Sequence, residues 1–372
     1  MWRLTIPDEV IEVERGIQEF ITDFFETVLN SDSSKSSEDL KKQVSNRESK
    51  IGRVAAVTNL KESIVSLVKC PQKNIIKMYY VSLTSRYSCL IDGDVPTPPE
   101  LLPESSTLIR EIFDYFYESL LDSKTFRQEY IPDYTSDLEL KVYLRDKMGN
   151  NGKVCPYCDI QWIGHASHSS IDHFFPKSRF PLLSIFVSNL IVSCTGCNDR
   201  IKKANLLLPL FHPYFHQAAD YFEFEINNEC NTIMQIKLLS NHEDSVRRVN
   251  NYFDLFNLNE MYANVLYKVR EDRRQLRETV KRIYLAYNPL DDKEGVLRNI
   301  LAEEINTTLN RNLSKRGYFD LTKIKHDFFQ SLERSFFEVE LEYLCSHLKL
   351  DRITENYTEI DNSNLTGPNM IA

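Results

Sequence analysis

The sequence predicts a mostly α-helical protein that holds one small α+β module. Three observations carry this. Apolar residues recur at i, i+3 and i+4 over long stretches on both sides of the chain's middle. Two Cys-x-x-Cys pairs, Cys155/Cys158 and Cys194/Cys197, bracket a segment with little helical rhythm. The hydrophobic share of 42 % is that of a globular chain, and 372 residues suffice for two or three domains with real cores.

The first element is a helix over 1–29. Pro7-Asp8-Glu9 stands at its start, and Ile17, Phe20, Ile21, Phe24, Phe25 and Val28 follow at helical spacing. Residues 30–50 are Ser-rich and highly charged, so they read as a flexible linker. Such a linker would let the first helix move as a separate docking element. A helical region spans 51–150, interrupted by the Pro-rich run 92–103 and resuming near 104–122 with Leu108, Ile109, Ile112, Phe113, Phe116 and Leu120 on one face. Helical signal returns at Leu138–Met148 and stops at the turn Gly149-Asn150-Asn151-Gly152.

The Cys/His module occupies 151–216. Beyond it, 217–350 reads as mostly helical. Residues 221–226 alternate like a strand, one long helical stretch runs over 244–285, and Ile324, Phe328, Leu332, Phe336, Val339 and Tyr343 keep helical spacing. The Arg270, Arg273, Arg274 and Arg277 cluster reads as a solvated helix face. The polar residues 351–372 read as a loose tail.

Charge singles out the module. The whole chain carries −9, which disfavours nonspecific attraction to nucleic acid. Residues 151–216 hold six Lys/Arg against three Asp/Glu, or +3, which leaves −12 for the rest. They also hold five of the eight histidines, so phosphate chemistry is expected here. No apolar run approaches the ~18 residues of a membrane span, and no signal pattern opens the chain, so the expected location is cytoplasmic, with no membrane association.

In a cytosolic protein, paired Cys-x-x-Cys elements point to zinc rather than to disulfides. Two such knuckles, Cys155/Cys158 and Cys194/Cys197, close a four-thiolate structural Zn²⁺ site with no open position. The single cysteines Cys70, Cys89, Cys230 and Cys345 lie outside this pattern, and Cys230 and Cys345 read as small core residues. Thirty-five residues separate Cys158 from Cys194, more than the ~15–20 of a plain zinc ribbon. Something is built inside the staple: Asp172-His173-Phe174-Phe175-Pro176-Lys177-Ser178, then Asn189-Leu190, then Cys197-Asn198-Asp199-Arg200-Ile201-Lys202-Lys203.

This ordered set, with about ten identities over 153–205, resembles the HNH (ββα-metal) endonuclease family in its zinc-stapled form. The resemblance implies a ββα-metal nuclease core. His173 would be the general base, and Asp172 and Asn198 would hold one catalytic Mg²⁺ or Mn²⁺. Asn189 would orient the hairpin and His173. Arg200, Lys202 and Lys203 would contact backbone phosphates, with DNA the favoured substrate. His212 is an alternative ion ligand to Asn198, whereas His165 and His168 read as loop residues.

Two departures stand out. Adjacent strand residues point to opposite faces, so Asp172 and His173 would not address one phosphate from a regular strand. The family's Asn-x-x-Lys spacing is also broken, since Ile201 holds the lysine position and Lys202 follows.

The Asp172–Ser178 phrase, His212-Pro213-Tyr214 and the segment 255–262 resemble HNH proteins of bacterial anti-phage defence, in particular the nuclease subunit of Septu-type systems, which works with an ATPase subunit. The resemblance therefore implies an ATPase partner. The competing expectation is a catalytically silent zinc-stapled module that binds nucleic acid or protein.

Overall fold

The computed structural model describes residues 1–150, 152–227 and 232–350. Cys230 and the tail 351–372 lie outside the described residues. The chain forms two compact units, Met1–Arg270 with Asn310–Phe328, and Glu271–Leu309 with Phe329 onward.

The first unit opens with α1 (Asp8–Asn30), α2 (Ser37–Val44), α3 (Lys50–Val57), α4 (Leu60–Lys69), α5 (Lys73–Ser85) and α6 (Tyr87–Ile91). Next come α7 (Pro103–Tyr115), continued by a π-helical turn over Phe116–Leu120, then α8 (Lys124–Tyr130) and α9 (Leu140–Asn150). The apolar face of α1 lies at the centre. Phe20 meets the ring edges of Phe116, Phe126 and Tyr130 at 5.1, 5.2 and 5.4 Å. Gly16 permits this approach, because a Cβ there would lie 2.1 Å from the Tyr130 carbonyl oxygen. α1 is thus an integral core element, not the detachable one that composition suggested.

Residues 30–50 also differ from the expected linker. α2 sits inside them, its Ser36 side chain accepts from the Asp39 N–H, and Leu40 and Val44 are buried. Its charged residues lie on the opposite, solvated face, so a high charge content concealed a short amphipathic helix.

Two antiparallel hairpins follow. β1 (Ser169–His173) pairs with β2 (Leu190–Cys194), setting Asp172 opposite Ile191 and His173 opposite Leu190. β2 is wholly buried, and α9 packs against both strands. β3 (Phe222–Asn227) pairs with β4 (Thr232–Leu238). The helical stretch expected over 244–285 is three helices: α10 (Glu243–Phe256), α11 (Leu258–Ala263) and α12 (Leu266–Tyr287). Asn257 divides the first two by adopting a left-handed conformation at φ 50°, which Asn tolerates better than most residues.

The remaining helices are α13 (Lys293–Ser314), α14 (Thr322–Ser331) and α15 (Phe337–Leu348). In the second unit, Arg273 and Arg277 both hold the fully buried Glu340 carboxylate, and the Arg277 guanidinium lies 3.5 Å from the Tyr343 ring centre. The arginine cluster is therefore not simply a solvated face. Buried Glu340 needs the cations that periodicity alone assigned to solvent. No helix of the described residues is long and apolar enough to cross a membrane.

Candidate functional site

The four paired cysteines converge. Cys155 and Cys158 sit on a turn closed by Cys155 N–H to the Gln161 carbonyl and by Asp159 N–H to the Cys155 carbonyl. Cys194 ends β2, and Cys197 lies in the helix that follows. Their sulfurs all lie within 4.8 Å of one another and are buried. Amide N–H groups of Cys194 and Cys197 point at Cys155 Sγ and Cys194 Sγ, at 3.4 and 3.3 Å. Burial opposes charge on Cys155, yet hydrogen bonds from Cys158, Cys194 and Cys197 bring its pKa well down. Cys158 and Cys197, bonded to that sulfur, are pushed well up. Four converging sulfurs that cannot all ionise without a neighbouring cation form a donor set compatible with a structural Zn²⁺. Tyr262 on α11 bonds the Cys158 carbonyl at 2.8 Å, and Tyr252 on α10 bonds that of Tyr157.

From this cluster rises the hairpin. Its two candidate residues face different neighbours, as strand alternation requires. Ser170 and Asp172 look onto the helix Gly196–Lys202: Asn198 Nδ2 donates to Ser170 Oγ at 2.8 Å, and Lys202 Nζ donates to Asp172 Oδ1 at 2.7 Å. Lys202 Nζ also reaches the His173 carbonyl at 2.8 Å, and the Tyr157 hydroxyl donates to Asp172 Oδ2 at 2.8 Å. The strand stays regular, so the distortion that would bring Asp172 and His173 to one phosphate is absent.

The broken Asn-x-x-Lys spacing has a structural counterpart. Gly196–Lys202 winds as a π-helix, with the Lys203 N–H bonded five residues back to the Asn198 carbonyl. The wider turn places residue 202 roughly where residue 201 would stand in an α-helix.

These contacts revise three expectations. Lys202 is 0 % exposed and cannot touch a phosphate, whereas Arg200 and Lys203 remain exposed. Both Asp172 oxygens are engaged, and burial raises its pKa even with the Lys202 ammonium beside it. Asn198 turns only its amide nitrogen to Ser170, but the Lys202 ammonium already neutralises the Asp172 carboxylate, so the pair does not fit a divalent ion as it stands. His212 is no substitute ligand: Nδ1 accepts from the Tyr214 N–H at 3.2 Å, Nε2 meets the Tyr87 hydroxyl at 3.3 Å, and the ring is fully buried.

His173 lies on the other side. Its Nε2 bonds the Ser184 carbonyl at 2.9 Å, so Nε2 carries the proton. The ring meets the edge of Tyr117 at 4.6 Å. Burial brings its pKa down to about 4 and leaves it neutral near pH 7. Among the described residues no group bonds Nδ1, which retains its lone pair. Lys177, 2.5 Å from Glu118, stands nearby.

Asn189 sets the loop that carries Ser184. Its Oδ1 accepts from the Phe175 N–H at 2.8 Å and from the Tyr87 hydroxyl at 3.0 Å. Its Nδ2 donates to the Phe175 and Leu183 carbonyls at 3.1 and 3.0 Å. Sequence reasoning missed Tyr87, Tyr117, Tyr157 and Ser184. Only Tyr157, between the knuckle cysteines, carried a positional signal. His165 and His168 are exposed, and His165 Nδ1 is 2.8 Å from Ser167 Oγ.

No family model matches the chain, and no solved structure matches it. Among curated proteins, Protein ea31 of Escherichia phage lambda is 31 % identical over 80 residues, covering 22 % of this chain and 26 % of that protein. The chain thus spans about a quarter of the length of the curated relative it matches.

Proposed function

We propose that the chain is an HNH-type nuclease that hydrolyses phosphodiester bonds of nucleic acid, with DNA favoured as substrate. The observation that carries this reading is the state of His173. A neutral imidazole, fixed through Nε2 and unbonded at Nδ1, is suited to act as a general base held in one tautomer. Nδ1 takes a proton from water, the resulting hydroxide attacks phosphorus, and the P–O3′ bond breaks. The leaving oxygen takes its proton from solvent. Exposed Arg200 and Lys203 supply charge for the phosphate backbone. The Mg²⁺ or Mn²⁺ implied by the family resemblance gains no support from Asp172 and Asn198 as placed, and no step here runs through it.

An ATPase partner belongs to the same reading, since an acidic chain with a small basic module has little electrostatic grip on DNA. The test is incubation of the purified chain with plasmid, linear duplex, single-stranded DNA and RNA, with Mg²⁺, Mn²⁺ or chelator. Cleavage products that disappear in His173→Ala support the reading. Pull-down from the native host should recover an ATPase.

The Lys202–Asp172 pair favours a second reading, a catalytically silent zinc-stapled module that binds nucleic acid or protein. Under that reading no substrate is cut in any condition while binding persists.

A further inference from the structure

The zinc-knuckle turn carries a surface that the hairpin chemistry does not use. Trp162, Tyr318 and Phe319 line one open cleft of about 670 Å³ with Lys153 and Lys315 at its walls. The three rings are 51, 49 and 54 % exposed. Three large aromatics half out of water in one place exceed what folding needs.

The cleft rests on rigid backbone. Lys153 and Val154 N–H groups bond the Gly317 carbonyl at 2.9 and 3.2 Å, and Ile163 N–H bonds the Lys153 carbonyl at 2.8 Å. Val154 bridges Trp162 across the knuckle. Gly317, at φ 76°, makes the turn that presents Tyr318 and Phe319. The rings are therefore presented by a framework that the four cysteines anchor.

Charge says what the cleft takes. Lys315 Nζ lies 4.6 Å from the Phe319 ring centre. Among the described residues no carboxylate pairs with Lys153, Lys315 or the neighbouring exposed Arg316. The acid in the lining, Asp320, is engaged by Lys268. In a chain of net −9, unpaired cations beside exposed rings match a polyanion with accessible π faces.

We propose that this cleft binds unpaired nucleotides of a single-stranded nucleic acid. Bases stack on Trp162, Tyr318 and Phe319, and Lys153 and Lys315 neutralise the phosphates. Duplex bases, stacked on one another, offer no such faces. The proposal rests on the nucleic-acid reading of the chain and names the form of the strand.

The test uses the full chain as the cleavage-dead His173→Ala variant, with an oligothymidylate of about 15 nucleotides, within the span of single-strand sites. Of the two tryptophans, Trp2 is buried, so emission quenching reports Trp162. Saturable quenching is expected, weakening as salt rises from about 50 to 200 mM. By anisotropy, Trp162→Ala and Tyr318→Ala should each lose about tenfold in affinity, and a duplex of equal length should bind at least about tenfold more weakly. Absence of quenching, equal affinity in both ring variants at unchanged melting temperature, or preference for duplex would overturn the proposal. Should a ring variant fail to fold, Lys153→Gln with Lys315→Gln and the parent's own quenching decide the matter. Cleavage of duplex DNA without single-strand binding would end this inference and leave the nuclease reading standing.

Discussion

Lys202 Nζ lies 2.7 Å from Asp172 Oδ1 with both side chains sealed from solvent, so the cation beside this aspartate is one the chain itself provides. Removing one partner of such a pair strands a buried charge. Lys202→Met should cost about 3–5 kcal/mol in urea unfolding, and Lys202→Met with Asp172→Leu should recover most of it. The same geometry predicts that the zinc-loaded wild type shows no Mn²⁺ binding that Asp172→Asn removes. A saturable Mn²⁺ signal lost in Asp172→Asn would show that the pair opens to admit an ion.

The cysteine cluster predicts one zinc per chain by elemental analysis. Cys155→Ser or Cys197→Ser should release it and unfold the module around both knuckles, because structural zinc supplies folding free energy on the order of 10 kcal/mol. Metal-free wild type with unchanged melting would exclude the staple.

His173 sets a pH profile. An ordinary histidine would lose base activity below about 6.5, whereas this one, brought down to about 4, should keep the acid limb of kcat/KM well below pH 6. Stability follows the same group. Between its folded and unfolded pKa values the unfolded chain binds the proton that the native one refuses. The stabilisation is therefore complete above about 6.5 and lost as pH falls toward about 4. His216, also brought down to about 4 by burial, acts in the same direction. Melting curves across this window, run beside the kinetics, separate the two effects.

Asn189→Ala removes hydrogen bonds to Phe175, Leu183 and Tyr87 in a fully buried position. The orphaned groups should cost on the order of 3 kcal/mol. Cleavage should fall further than stability explains, because the loop bearing the Ser184 carbonyl holds the His173 ring. Unchanged cleavage in a folded Asn189→Ala protein would contradict that positioning role.

Much of the site was legible because its signals are local. Paired cysteines three apart announce a knuckle, and Cys158 and Cys194 bracket the segment that becomes the hairpin. The helical face of α1 was readable from Phe20, Ile21, Phe24 and Phe25. The destination of Lys202 was not, because its inward turn depends on π-helical winding, which apolar periodicity does not encode. Nor were the partners Tyr87, Tyr117 and Ser184, which reach the hairpin from distant parts of the chain or from its connecting loop. α2 was hidden by composition: four of its eight residues are charged, yet Leu40 and Val44 suffice to bury one face.

The central claim is that His173 is the base of a phosphodiester-cleaving site, and one comparison tests it most directly. Initial cleavage rates of wild type and His173→Ala are measured on the same nucleic acid, with zinc content and melting temperature shown to match. The account predicts a fall of about 10²–10⁴-fold in the variant. Equal rates in the two proteins, or no cleavage by wild type of any DNA or RNA offered, would contradict it.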